Sequence, residues 1–252
     1  MPNHTIVTTR NTFGPEPRAL SDYDYTALTT NPDDLEVPVD PQPVLPAIIA
    51  TSGLPLNPMP PARDHEPLVA VHHHRIQSIP TYWNAGWSAA SPEVWVRLGV
   101  AEALCRVASR LSSDFGLAIL DAWRSLELQS EIYTAAYSDD TLPPGFVTPP
   151  SQDPQTPPPH LTGGTVDVTL TWKGHPLGLG TLFDDFTDAA RVDSLENVTC
   201  RSRELRRMLY WAMKSEDFTV IDCEWWHFEL GTRRWAALTG RAPWYAAANF
   251  VQ

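Results

Sequence analysis

Two short stretches set the strictest condition on how this chain can fold. Pro159-His160-Leu161-Thr162-Gly163-Gly164-Thr165-Val166-Asp167 and Cys223-Glu224-Trp225-Trp226-His227-Phe228-Glu229 lie far apart in the sequence. Together they hold two imidazoles, a carboxylate and a further glutamate. His160, Asp167 and His227 match the donor set of a catalytic zinc site, which uses three protein ligands and keeps a fourth position for water. Glu224 would be the base beside it. If the fold brings the stretches together, the chain is a metal-dependent hydrolase.

The local sequence says how they could meet. Prolines before His160 and paired glycines after it disfavour a regular helix. The spacing instead predicts a loop carrying His160 that folds back over a strand carrying Asp167, with Gly163-Gly164 making the reversal. Trp225, Trp226 and Phe228 favour a strand around His227. In a flat strand, residues three apart point to opposite faces, so the chain must bend between Glu224 and His227. Taken singly, His160 also reads as an ordinary loop histidine and Asp167 as a solvated charge on a polar strand face.

Composition narrows the class. The 252 residues fit one generous domain or a domain with a long arm, and 42% hydrophobic content supports a core. A net charge of −12 argues against nucleic acid as a partner, because neutralising phosphates takes clustered Lys and Arg. No apolar run approaches the roughly 20 residues of a membrane span, so no membrane partner is expected. Met1 to Arg10 is polar and carries no secretory leader pattern. Cys105, Cys200 and Cys223 show no paired spacing, which fits a reducing, cytoplasmic location. The Asn3-His4-Thr5 and Asn197-Val198-Thr199 sequons are then chance.

The 25 prolines cluster. Residues 1–67 are rich in them, in Pro38-Val39-Asp40-Pro41-Gln42-Pro43 and Asn57-Pro58-Met59-Pro60-Pro61. Proline fixes φ and removes a donor, so this stretch should be irregular. Its apolar patch Val44-Leu45-Pro46-Ala47-Ile48-Ile49 predicts an arm packed on a catalytic domain over 68–252. Ser91-Pro92-Glu93 reads as a helix start, followed by Leu98, Ala101, Leu104, Cys105, Ala108 and Leu111 at helical spacing. A buried strand is expected over Gly116–Trp123, a helix over Ser125–Tyr137, and a Pro-rich functional loop over 138–159. Strand Thr165–Trp172 alternates, with Val166, Val168 and Leu170 on one face and Asp167 on the other. A helix follows over Ser202–Lys214, then strand, turn at Ile221-Asp222, and strand to Leu230. One of Trp225 and Trp226 should fill the core and the other wall the pocket. His72-His73-His74 reads as a polar surface segment. Cys223 reads as a small buried residue, with a soft-ligand role as the other possibility.

The two stretches resemble those of the zinc D-alanyl-D-alanine dipeptidases, the VanX-like family, whose pattern is Ser-x-His-x-x-Gly-x-Ala-x-Asp and Glu-Trp-Trp-His. Asp121-Ala122-Trp123-Arg124 is similar to the family's Asp-Gly-Tyr-Arg, and Gly180-Thr181-Leu182-Phe183-Asp184 to its Gly-Ser/Thr-x-Phe-Asp. Arg206-Arg207-Met208-Leu209-Tyr210 resembles the helix before the last motif. The resemblance implies one Zn2+ per chain on His160, Asp167 and His227, Glu224 as catalytic base, and Arg124 steadying the carbonyl oxygen. It also implies Asp184 holding the substrate's ammonium; the same residue reads equally as a helix-capping acid for Asp185–Ala190. It implies the Hedgehog/DD-peptidase fold: α+β, a small antiparallel sheet with helices packed on one side.

Two departures bear on the substrate. Pro158 stands where the family has a serine that binds the substrate carboxylate. The amine-gripping Tyr-x-x-x-x-Asn-Phe segment is not intact, and Tyr82-Trp83-Asn84 is the nearest match. Three functions therefore stand: hydrolysis of D-alanyl-D-alanine or a similar small D,D-dipeptide, a metallohydrolase acting on another small dipeptide or amide in a specialised biosynthetic pathway, and a non-catalytic zinc module. The spare base Glu224 argues against the last.

Overall fold

The computed structural model describes residues 20, 23–58, 66–138, 142 and 145–248. The N-terminal leader reading, the Asn3 sequon and Met59-Pro60-Pro61 lie outside them, as do five positions of the 138–159 loop. Among the described residues the elements run β1 Leu68–Ala70, β2 Ile76–Ser78, α1 Thr81–Asn84, β3 Trp95–Arg97, α2 Leu98–Arg110, β4 Phe115–Asp121 and α3 Leu126–Ala136. They continue with β5 Thr165–Trp172, β6 His175–Pro176, α4 Arg201–Lys214, β7 Thr219–Val220, β8 His227–Glu229 and α5 Arg233–Thr239. No described helix is long and apolar enough to cross a membrane.

The helix expected from Ser91 begins later. Val94 and Val96 are buried, Trp95–Arg97 pairs antiparallel with β1, and α2 starts only at Leu98. Alternating apolar residues outcompeted the Ser-Pro start signal. By contrast, α3 begins where its cap predicts, with the Ser125 hydroxyl accepting from Leu128 N.

The main sheet has the order β2-β4-β5-β8-β7, with β6 added to β5. It is antiparallel except at β2, which runs parallel to β4, so the fully antiparallel expectation is corrected. The connection from β2 to β4 passes through α1, β3 and α2, long enough for a parallel crossover. Helices α2 and α4 pack together and against β4 and β5.

β5 is the centre of this sheet, and its polar face is not solvated. Thr165, Asp167 and Thr169 are as buried as Val166, Val168 and Leu170. Thr169 Oγ1 donates to the Leu177 carbonyl (2.6 Å), part of the chain that covers this face. A register shift between Ile119 and Asp121 sets Asp121 opposite Asp167, and Asp167 is also opposite His227 on β8. The bulge thus aligns Asp121, Asp167 and His227 in one row across three strands, where cross-strand neighbours share a face.

The His160 segment is one 3-10 turn, His160–Thr162, rather than an open loop. It ends at Gly163 in the left-handed region (φ 71°). Gly164 then lies against β8: Leu230 N donates to its carbonyl (2.8 Å), and a Cβ there would sit 2.6 Å from the Leu230 carbonyl oxygen. The buried Arg97 ties this turn down, its Nε donating to the Thr162 carbonyl (2.8 Å) and its Nη1 to the Glu66 carbonyl (2.6 Å).

The proline-rich N-terminal segment lies along α4 and reaches the sheet. Tyr25, Val37 and Leu45 belong to the core. Trp211 Nε1 donates to the Pro43 carbonyl (2.9 Å), and Arg201 Nε to that of Val37 (2.9 Å). Thr51 gives both its N–H (2.8 Å) and its hydroxyl (2.6 Å) to Asp222 Oδ1.

Gly164→Ala should lower stability by about 1–3 kcal/mol, the usual cost of overpacking, read as a fall in the thermal unfolding midpoint. Ser91→Ala, outside any helix start, should leave the midpoint nearly unchanged.

Candidate metal centre

His160, Asp167 and His227 converge. One ligand atom from each lies within 4.8 Å of the others, and all three residues are buried. His160 Nε2 is 3.6 Å from Asp167 Oδ2, and His227 Nδ1 is 3.1 Å from Asp167 Oδ1. Asp167 Oδ1 is buried yet accepts no hydrogen bond.

The other nitrogen of each imidazole is occupied. His160 Nδ1 donates to the Ala122 carbonyl (2.6 Å). His227 Nε2 donates to Glu229 Oε1 (3.1 Å). Glu229 is fully buried and also takes Arg234 Nη1 (2.6 Å) and the Thr232 hydroxyl. Burial opposes its ionisation, but Arg234 and His227 outweigh this and hold its pKa down to about 2. An ionised Glu229 can only accept, so Nε2 carries a proton and Nδ1 is the nitrogen that faces Asp167. The donor nitrogens of both histidines are thereby fixed by their outer partners, as ligating histidines usually are.

Glu224 sits in the turn before β8, with Oε2 3.5 Å from His227 Nδ1. Between β7 and β8 the chain turns twice, and His227 N donates to the Glu224 carbonyl at 3.5 Å. This is the bend the three-residue spacing demands. Burial, aided by the Asp167 charge and opposed by His227, pushes the Glu224 carboxyl up to about 7.

Arg124, just past β4, is buried and directed inward. Its Nε donates to Asp121 Oδ2 (2.7 Å), its Nη1 to Gln129 Oε1 (3.3 Å) and its Nη2 to Tyr82 OH (3.1 Å); Nη2 is also 3.5 Å from Asp167 Oδ2. Tyr82 OH in turn donates to Asp184 Oδ2 (3.0 Å). Asp184 (φ 56°) caps no helix: the helical turn that follows it, Asp188–Ala190, is preceded by Thr187. The capping alternative is therefore corrected. Burial, with Asp167 and Glu224 adding repulsion, raises its carboxyl well above the usual range despite Arg124. Its loop is held by Arg206, whose guanidinium donates to the carbonyls of Leu179, Ala189 and Arg191.

A single cavity of about 290 Å3 joins these groups. Its wall includes Tyr82, Arg124, His160, Asp167, Asp184, Glu224, His227 and Arg234, with Phe146 and Val147 from the proline-rich loop and Thr51 and Ser52 from the N-terminal segment. Trp225 and Trp226 are both buried in the core and neither lines this cavity, so the expected wall residue is absent. Cys223 lines it but stands outside the ligating group, its thiol pushed up to about 12 by burial. His72 and His74 are exposed on the turn between β1 and β2, away from the cluster.

Asp121, Gln129, Glu229 and Arg234 enter the site without having been singled out, and Tyr82, named only in the nearest match to the amine-gripping segment, contacts Asp184. Asp121 lies inside the quoted Asp-Ala-Trp-Arg stretch. Glu229 had a usable signal, since two residues beyond His227 on a strand means the same face. Nothing near Gln129 or Arg234 in the sequence marks them.

Asp121, Asp167, Asp184, Glu224 and Glu229 face two guanidiniums, Arg124 and Arg234, in one buried region. That crowding of carboxylates, one inward-facing nitrogen from each imidazole and an orphaned carboxylate oxygen fit a divalent cation between His160, Asp167 and His227. The site thus places a buried carboxylate, Glu224, beside three residues that could hold a metal ion. Residues 101–241 match the peptidase M15 family, described as D-ala-D-ala dipeptidase, and the chain belongs to that family. It is also 25% identical, over 209 residues, to a D-alanyl-D-alanine dipeptidase of Synechocystis sp. (strain ATCC 27184 / PCC 6803 / Kazusa), covering 68% of this chain and 84% of that protein.

Glu229→Gln should weaken divalent-cation affinity by about 10–100-fold, the usual effect of losing an outer partner of a ligating histidine. Competitive titration of the metal-free protein with a chromophoric chelator measures it.

Proposed function

We propose that this protein is a zinc dipeptidase that hydrolyses D-alanyl-D-alanine or a closely similar small D,D-dipeptide. The observation that carries this reading is the convergence of His160, Asp167 and His227 with Glu224 Oε2 3.5 Å from His227 Nδ1. His160 Nε2, Asp167 and His227 Nδ1 would hold one Zn2+. When bound, the ion polarises the scissile carbonyl and lowers the pKa of water toward neutrality.

The chain's own groups complete the chemistry. Glu224, with a pKa of about 7, accepts the proton of the attacking water and passes it to the leaving amine. Arg124, held from three sides, meets negative charge as it develops on the carbonyl oxygen. Asp184, oriented by Tyr82, binds the substrate ammonium, which relieves the crowding that raises its pKa. The cavity of about 290 Å3 sits at the small end of ligand pockets, about 300–1,000 Å3, and suits a dipeptide better than a polymer. The same reading takes the architecture as the Hedgehog/DD-peptidase fold, with a proline-rich arm over 1–67, a catalytic domain over 68–252 and a cytoplasmic location.

One observation favours a second reading. Pro158 offers no hydroxyl at a position the resemblance assigns to substrate binding, which supports a different small dipeptide or amide as substrate. A panel of D,D-, L,D- and L,L-dipeptides with zinc-loaded protein separates the two: preference for D-alanyl-D-alanine supports the first, and failure to cleave any D,D-dipeptide rejects it. Glu224→Ala should lower kcat by about 10²–10⁴-fold while one zinc per chain remains bound; unchanged turnover would refute the base. Arg124→Met should lower kcat by about 10²–10³-fold, measured under saturating substrate.

A further inference from the structure

A dipeptide brings two opposite charges into its pocket. Asp184 is suited to the ammonium, and the carboxylate needs a cationic partner. The turn leading into His160 supplies no donor, because Pro157-Pro158-Pro159 has no N–H and no hydroxyl. The cavity wall carries three guanidiniums: Arg124, Arg191 and Arg234. Arg124 has donors committed to Asp121, Gln129 and Tyr82. Arg191 lies nearer solvent, its side chain 40% exposed, between Asp222 (3.1 Å) and Asp193 (4.0 Å). Arg234 is more enclosed, its side chain 18% exposed, and it meets one carboxylate. Its Nη1 donates to Glu229 Oε1 (2.6 Å), and its other N–H groups meet no partner among the described residues.

We infer that Arg234 binds the substrate's terminal carboxylate. This rests on the dipeptidase reading and names the second pole of its pocket. The contacts trace the arrangement. From Asp184 the path runs through Tyr82 (3.0 Å), Arg124 (3.1 Å), Asp167 (3.5 Å), His227 (3.1 Å) and Glu229 (3.1 Å) to Arg234 (2.6 Å). A carboxylate and a guanidinium thus stand at the two ends of a contact chain that passes through two of the three candidate ligands, Asp167 and His227. A zwitterion lying between them would present its amide carbonyl to the triad.

The backbone under Arg234 is rigid. Thr232 caps α5 by accepting from Trp235 N (3.1 Å) and also donates to Glu229, so the helix start is registered on β8. Trp235 is fully buried and its Nε1 donates to the Asp217 carbonyl (2.8 Å). Gly231 turns the chain with φ 72°, and a Cβ there would meet the Tyr245 ring at 2.8 Å. A planar guanidinium on so fixed a stem can take a carboxylate through two parallel hydrogen bonds with little ordering cost.

The competing role is that of a positioning residue, with Arg234 acting only by neutralising Glu229 and so steadying His227. Kinetics with D-alanyl-D-alanine and its C-terminal amide separates the two, using wild type, Arg234→Met and Arg234→Lys. Carboxylate binding predicts that wild type prefers the acid. Arg234→Met should then lose about 10–100-fold more in kcat/KM on the acid than on the amide, the excess mostly in KM. Lys keeps a charge for Glu229 but not the fork, so it should recover the cation content and only part of the acid preference. Equal losses on acid and amide, with a fall in bound zinc, overturn the inference and leave the dipeptidase reading standing. If wild type cleaves neither compound, the dipeptidase reading fails. Calorimetric binding of the two dipeptides to zinc-loaded wild type and Arg234→Lys then decides: acid-selective binding weakened by the substitution supports Arg234, and equal or no binding overturns it.

Discussion

Asp167 sits in the middle strand of the sheet with almost no exposure, and Asp121 and His227 are its register partners on either side. A carboxylate buried this deeply is costly unless positive charge surrounds it. Here Arg124 and His160 approach Oδ2, His227 approaches Oδ1, and Oδ1 still accepts no hydrogen bond. Four further carboxylates share the same region. The rest of the site can be understood as the means of tolerating that density of charge: guanidiniums and imidazoles interleave with the carboxylates, and His160, Asp167 and His227 lie close enough to share a cation.

Irregular backbone carries Arg124, His160, Asp184 and Glu224, and parts of it are held by side chains rather than by regular pairing. Arg97 ties the His160 turn to the chain around Glu66, and Arg206 draws together three carbonyls of the segment around Asp184. Both arginines are buried, and both act as multiple donors where the backbone has no ladder partner. This gives loops the rigidity that a charge-dense site needs, since a small displacement of one carboxylate alters the field at all the others. The residues proposed to contact substrate, Asp184 and Arg234, each hang from such a braced segment.

The N-terminal segment lies before the region that matches the family, yet Thr51 and Ser52 reach the cavity wall through Asp222. The proline-rich loop reaches it from another side, with Gln129 Nε2 donating to the Thr148 carbonyl (2.6 Å). Such segments set the size and shape of a pocket while leaving its chemistry to the sheet. They are where members of one family can differ in substrate without disturbing the ligand row.

Several elements were legible because one local signal dominated. The alternation of Thr165–Trp172 marks β5 to the residue, and Ser125 marks the start of α3. The Ser91-Pro92 signal misled because the Val94/Val96 alternation next to it is satisfied by pairing with β1, a partner distant in sequence. The Trp225 and Trp226 pair misled because both rings find core contacts once the segment turns.

The chain by itself determined the donor types, their order and the need for a bend between Glu224 and His227, since these follow from side-chain chemistry and strand periodicity. Only the tertiary structure decided which imidazole nitrogen is left open, that Glu229 rather than solvent holds His227, and that Arg234 faces the cavity. Those depend on a strand register, a bulge at β4 and the start of a helix, each fixed by contacts between segments that local sequence does not encode.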